Sequence, residues 1–397
     1  MSLRTALRTA LRPLLRPHPA AWNALVAADL RIERARHDLA RALPVLIRPE
    51  PRHLEIAITA NCNQRCVGCR YGRDFMPGQQ LSLEAVRGIL EDARAGGIWD
   101  VRFYGGEPLL HRDLPRMVER AHELGIPPYV TTNGTLLERR IDALYAAGLR
   151  ALNIGFYGTG SHYDAYVQRP GRFDGLERGM HVLRDRYGSD VTVSINWLLM
   201  RPSCTVAALH RAWEFCLRHD ASMQVDLVHY SLPYFTEGPD RCLQFRPEDR
   251  RAITRVVDEL LRLKQHDPVR LRPSAAALAS IPDWLLRGPD MRVPCDSHQG
   301  IWVGADGTVQ QCYAAFPLGN VHEQRLRDLL FTPTHRRHAR GAHNLECPNC
   351  HCHYPGRVEK HTPSLRHYSA LARATAKSDS GVREAYRPAF GGRTVRV

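Results

Sequence analysis

From His53 to about Leu263 the spacing of apolar residues switches again and again between two periods, and this constrains the fold more than any other feature. Leu54, Ile56 and Ile58 alternate as a strand does. Leu83, Val86, Ile89, Leu90 and Ala93 then fall on one face of a helix that starts at Ser82 and stops at Gly96-Gly97. The same change recurs downstream. Strands are expected around Val101–Phe103, Tyr129–Thr132, Ala151–Phe156, Val191–Leu199 and Gln224–Val228. Helices are expected over Leu114–Leu124, Ile141–Ala147, Leu176–Arg186, Val206–His219 and Glu248–Leu263. Six strand–helix units in succession predict a parallel sheet with right-handed crossovers. The fold class is α/β, a partial (β/α)6 TIM-like barrel whose ligands gather at the C-terminal ends of its strands.

Two loops then fall on one rim. After the first strand comes Cys62-Asn63-Gln64-Arg65-Cys66-Val67-Gly68-Cys69, a C-x3-C-x2-C run; after the second comes Gly105-Gly106-Glu107-Pro108. Three thiolates hold three corners of a [4Fe–4S] cube and leave one iron open. The alternative is a zinc site that draws its fourth ligand from elsewhere, His53 being near in sequence.

On these two motifs, residues 53–265 resemble the radical SAM superfamily, and Thr132-Asn133-Gly134 after the third strand fits the same pattern. The resemblance implies that Cys62, Cys66 and Cys69 hold a [4Fe–4S] cluster whose open iron takes the amino and carboxylate groups of S-adenosyl-L-methionine. It also implies that Gly105, Gly106, Glu107, Pro108, Thr132 and Asn133 bind that cofactor. The reaction it implies is reductive cleavage of S-adenosylmethionine followed by hydrogen abstraction from substrate, with electrons from a flavodoxin- or ferredoxin-type donor. One position departs from the family, which usually has an aromatic residue against the adenine before the third Cys. Here it is Gly68, and Tyr71 is the candidate substitute.

The second half punctuates itself with Pro273, Pro282, Pro289 and Pro294 and promises no long helix. It carries Cys295-x11-Gly307-x4-Cys312, then Leu318-Gly319-Asn320, then Cys347-x2-Cys350 and Cys352. This resembles the SPASM accessory domain or its shorter twitch form. The resemblance implies a second, auxiliary [4Fe–4S] cluster on Cys295, Cys312, Cys347 and Cys350, with Cys352 an alternative ligand or an idle thiol. Four Cys around structural zinc is the competing reading. The expected division is 1–50 a basic helical extension with a helix at Ala20–Leu43, 51–270 the partial barrel, 271–356 the small Cys-rich iron–sulfur domain, and 357–397 a basic tail.

Charge and cysteine usage bound the rest. Eleven cysteines without an apolar export segment at the start read as metal chemistry in a cytoplasmic, reducing setting. The formal charge of +14 is nearly all arginine, and no basic stripe interleaved with aromatics marks a nucleic-acid surface. No apolar run reaches bilayer-spanning length. Arg4, Arg8, Arg12 and Arg16 beside Leu3, Leu7, Leu11 and Leu14 suit either a frayed start or a basic amphipathic helix in peripheral membrane contact.

The function expected is an oxidoreductase acting on a small molecule such as a sugar, an aminocyclitol or a natural-product intermediate, the auxiliary cluster taking the electron. The alternatives are a peptide maturase, a lipid-modifying enzyme, and an epimerase with Cys204, Cys216 or Cys242 as hydrogen donor; a metal-binding protein without enzymatic activity also stands. No catalytic side chain is singled out, although Tyr157, His162, Asp164 and Asn196 fall near strand ends.

Overall fold

The computed structural model describes residues 18–40, 42–229, 235 and 242–361. The chain enters through helix α1 (Pro19–Leu39), which ends four residues earlier than expected, and a 3-10 turn at Pro44–Leu46. The basic segment before Pro19 lies outside the described residues.

Strands β1 (His53–Thr59), β2 (Asp100–Gly105), β3 (Pro128–Thr132), β4 (Ala151–Phe156), β5 (Thr192–Leu199) and β6 (Ser222–Leu227) pair in parallel, each with its neighbour in sequence. Between them run α2 (Leu83–Ala95), α3 (Leu114–Glu123), α4 (Leu137–Ala146), α5 (Ser161–Val167), α6 (Arg172–Tyr187) and α7 (Val206–Arg218), and α8 (Arg250–His266) follows β6. The expected units are all present, with ends displaced by a few residues. Ser82 caps α2 by accepting a hydrogen bond from the Ala85 N–H at 3.1 Å. The short α5 was not foreseen, because Tyr163, Tyr166 and Val167 are its whole buried face and span too few turns to register a period.

Burial along the strands separates the two faces of the sheet. Leu152, Ile154 and Phe156 of β4, Val193, Ile195 and Trp197 of β5, and Met223, Val225 and Leu227 of β6 are buried in the main core, on the helix side. The alternate residues Asn153, Ser194, Asn196, Gln224 and Asp226 are half-buried and polar. Strand side chains alternate faces, so these five line the opposite side.

The sheet does not close. Its order is β6-β5-β4-β3-β2-β1-β7-β8-β9, where β7 (Gly300–Val303) runs parallel to β1, and β8 (Thr308–Cys312) and β9 (Ala315–Asn320) continue antiparallel. The late-cysteine segment is therefore hydrogen-bonded into the same sheet as the barrel.

Two expectations about this half fail. The stretch rich in proline contains α9 (Ala275–Arg287), capped by Ser274 and carrying Pro282 inside it. Burial of Leu278, Ile281 and Trp284 outweighs a proline penalty of about 3 kcal/mol, since each such side chain is worth roughly 1.5–3 kcal/mol. After the short α10 (Leu326–Leu329) and α11 (Pro333–His343), the chain forms α12 (Tyr354–His361), so Arg357–His361 is not part of a tail. Arg357 is 1% exposed, donates to the backbone oxygens of Cys350 and Val293, and lies 4.8 Å over the Trp284 ring. Its charge is an interior feature, and composition alone read it as a surface one. Residues 362–397 lie outside the described residues. No described helix is long and apolar enough to cross a membrane.

Candidate active site

The loop that follows β1 is pinned from three sides. The N–H groups of Arg65 and Val67 donate to Val167 and Tyr166 at 3.0 and 2.9 Å, and Gly72 N–H closes back on Ala60 O. Cys62, Cys66 and Cys69 lie within mutual electrostatic reach, and burial pushes all three thiols up, Cys62 to about 12. Such thiols release their protons only to a metal centre whose positive charge offsets the lost hydration. Three buried thiolates suit three irons of a [4Fe–4S] cube and leave its fourth iron open.

The Gly105-Gly106-Glu107-Pro108 turn is fitted against this loop by its lack of side chains. A Cβ at Gly105 would fall 2.2 Å from Thr59 O, and one at Gly106 would fall 2.3 Å from Asn61 O. That closeness lets Gly106 N–H donate to Thr59 O and Glu107 N–H to Asn61 O, both at 2.8 Å. The buried Glu107 carboxylate then accepts from Leu109 N–H, the Thr132 hydroxyl and Asn133 N–H at 2.9, 2.7 and 2.8 Å. Burial still prevails over these bonds and holds its pKa up at about 7. Asn133 Nδ2 donates to Asn63 Oδ1, and Asn63 Nδ2 to Thr135 Oγ1, so the ends of β1, β2 and β3 form one network. Pro108 opens the 3-10 turn Pro108–Leu110 that delivers the Leu109 N–H.

At Gly68, φ is +82°, and the Phe235 ring lies where its Cβ would be, 2.8 Å away. An aromatic ring thus does stand beside the third cysteine, contributed by Phe235 from the far side of β6. Tyr71 is instead buried in a small cluster, edge-on to Phe75 at 5.0 Å.

The late cysteines converge as well. Cys312, at the end of β8, is pushed up by burial and by its neighbours Cys347, Cys350 and Cys295. The Cys352 thiol donates to Cys350, which is drawn down, and stands 3.7 Å from His229 Nδ1. The Arg357 guanidinium bonds the Cys350 carbonyl at 2.6 Å and supplies positive charge beside a set of thiolates, which suits an anionic cluster.

The late cysteines open onto a cavity that the local sequence pattern does not announce. A cavity of about 400 Å³ connects the late cysteines to Glu55, Tyr129, Trp302 and Tyr313. Glu55 and Tyr129 stand toward the N-terminal ends of β1 and β3, whereas the Cys62 loop caps the opposite end. Arg102 pairs with Glu55 at 3.2 Å, donates to Thr131 Oγ1 at 2.8 Å and covers the Tyr104 ring. Burial raises Asp226 to about 6. Separately from this cavity, the sheet face opposite the helices carries polar residues at every second position of β4, β5 and β6.

The other candidates divide. Asn196 is on this polar face, and the Tyr157 ring lies tilted against that of Tyr166, 4.4 Å between centroids, near Cys66 and Cys69. Asp164 accepts from the N–H groups of Gly171, Arg172 and Phe173 and so caps α6, while His162 is exposed. Cys204 and Cys216 are buried core residues.

Residues 56–202 match the model of the Radical SAM superfamily, and residues 295–353 match that of the SPASM iron–sulfur cluster-binding domain. The GTP 3',8-cyclase of Mycobacterium marinum is 30% identical over 70% of this chain and 77% of its own length. That of Chlorobaculum tepidum is 32% identical over 38% of this chain, which spans only 45% of the relative. In fold, the chain is similar to anSMEcpe with bound AdoMet, with a TM-score of 0.57 and 16% identity over 84% of this chain and 98% of that one. It is also similar to Streptococcus suis SuiB bound to S-adenosylmethionine, with a TM-score of 0.56 and 14% identity over 83% and 77% of the two chains.

Proposed function

This chain belongs to the radical SAM superfamily and carries a SPASM iron–sulfur domain, and from that premise we propose that the enzyme oxidises a polar small molecule held between two iron–sulfur sites. Cys62, Cys66 and Cys69 hold the cluster with the open iron, and Gly105, Gly106, Glu107, Pro108, Thr132 and Asn133 form the cofactor's cradle. Cys295, Cys312, Cys347 and Cys350 hold the auxiliary cluster. When bound, the cluster and S-adenosylmethionine supply reductive cleavage of the sulfonium and removal of a hydrogen atom from substrate, and the auxiliary cluster supplies an electron sink. The residues between them position the substrate and exclude water. The first electron comes from a flavodoxin- or ferredoxin-type donor. The proposed division is 1–50, 51–270 and 271–361, with the remainder a tail.

One observation carries the substrate class: the sheet face opposite the helices bears Asn153, Asn196, Gln224, Asp226 and Thr131, a set of donors and acceptors suited to hydroxyl and amino groups. The relatives' name raises GTP as a rival. A triphosphate needs uncompensated cations, but Arg102 is already paired with Glu55 and shares its side of the sheet with Asp226. The described part of the first fifty residues is one helix and a 3-10 turn, which supports a small molecule over a leader peptide bound by a strand-containing domain.

The test is anaerobic reconstitution, reduction, and 5′-deoxyadenosine assay with three substrate classes: polyols and aminocyclitols, GTP, and peptides. Polyols or aminocyclitols should raise 5′-deoxyadenosine above the substrate-free background, and Asn196→Ala should lower that increment about tenfold without changing the background. Stimulation by GTP or peptide alone would overturn the reading.

A further inference from the structure

A third group of metal-ligating side chains gathers away from both cysteine sites. The ligand atoms of His37, Asp296 and His298 lie within 4.8 Å of one another. The rings of His343 and His361 stand 4.9 and 5.0 Å from that of His37, and Glu33 Oε2 is 3.6 Å from His37 Nε2. These residues come from α1, the loop before β7, α11 and α12, so the group joins both ends of the described chain to the start of the auxiliary module. His37 and His298 are fully buried, and His343 is 4% exposed.

Their hydrogen bonding is incomplete. His37 Nε2, both ring nitrogens of His298, His343 Nδ1 and Asp296 Oδ1 are buried without a partner. A buried polar atom left without a partner loses its hydration with nothing in return. Aliphatic side chains would fill the same space without that cost. Lys360 pairs with the other oxygen of Asp296 at 2.8 Å, leaving Oδ1 directed into the group.

We infer that His37, Asp296 and His298 bind a divalent zinc ion, with Glu33 or His343 completing the coordination. Two imidazoles and a carboxylate are a nitrogen–oxygen set that suits zinc, and small side-chain rotations bring the donors to the roughly 3.4 Å that separates ligands around it. The ion is structural: it fastens α1 and α12 to the segment that presents Cys295.

The test uses the full chain with its clusters reconstituted, needs no turnover, and counts zinc and iron together before and after incubation with a zinc salt. The expected result is about one zinc per chain, with nitrogen or oxygen neighbours at about 2.0–2.1 Å in zinc-edge X-ray absorption. His298→Gln should lower the zinc count at least fivefold while iron is unchanged. Wild-type protein that takes up no stoichiometric zinc would overturn the inference. So would zinc surrounded by sulfur at about 2.3 Å. Both readings are made on wild type, so they stand even if the variant does not fold.

Discussion

Glu107 shows how one buried carboxylate organises a rim. Its three acceptor bonds tie the end of β2 to the Thr132-Asn133 turn, and its raised pKa measures the burial that those bonds must offset. The sign of the effect follows. An acid raised from 4.5 to about 7 binds more protons in the folded chain than in the unfolded one, so its contribution to stability is greatest below pH 4.5 and is lost as pH rises through 7. Cofactor binding runs the other way, because a cationic sulfonium and amine favour the ionised carboxylate. Affinity for S-adenosylmethionine should rise severalfold between about pH 6 and 8, and Glu107→Gln should flatten that profile while weakening binding. Calorimetric titration across pH checks both; a wild-type profile as flat as the variant's would remove Glu107 from this role.

At the scale of elements, Asp164 and Arg357 show where residue type and position in the chain mislead. Asp164 falls near a strand end, where a substrate ligand is expected, yet its carboxylate satisfies three N–H groups at the start of α6. Asp164→Ala should cost about 1–2 kcal/mol of stability, in the range of a lost helix cap, and leave iron content and cofactor cleavage unchanged. Denaturant unfolding together with the 5′-deoxyadenosine assay separates this from a substrate role, which would lower turnover with little loss of stability. From Arg357 onward the chain is basic and poor in periodic apolar residues, which predicts a tail. In the fold Arg357 serves backbone carbonyls of the loops that carry Cys295 and Cys350, partners more than fifty and only seven residues away.

Across the whole molecule, the two cysteine sets stand at opposite ends of one sheet, and β7 makes the late-cysteine module a continuation of the barrel. Seven-residue β1 alone spans about 20 Å, so the two sites can be filled and emptied separately. Replacing Cys62, Cys66 and Cys69 with alanine should reduce iron from about eight to about four per chain and abolish cofactor cleavage. Replacing Cys295, Cys312, Cys347 and Cys350 should remove the other four or so while some cleavage persists. Iron and sulfide analysis with Mössbauer spectroscopy checks the partition, and a wild-type count of about four would reduce the late set to another role.

The strand–helix alternation and the two rim loops were legible in the chain itself, because both are local: apolar period, capping residues, and ligands a few positions apart each act over a turn or two of backbone. Cys62, Cys66 and Cys69 with Gly105-Gly106-Glu107-Pro108 needed no tertiary knowledge beyond which end of a parallel sheet gathers ligands. Tertiary structure alone decided that Phe235 lies over Gly68, that Cys352 joins the other late cysteines, that β7 adds to the barrel sheet, and that His37 meets Asp296 and His298. Each of these joins residues far apart in the chain or turns on how the intervening backbone folds, and burial rather than periodicity selects the pairing. The polar face of the sheet belongs to both levels. Its residues were written at every second strand position, but only the helices packed on the other face show which side was left polar.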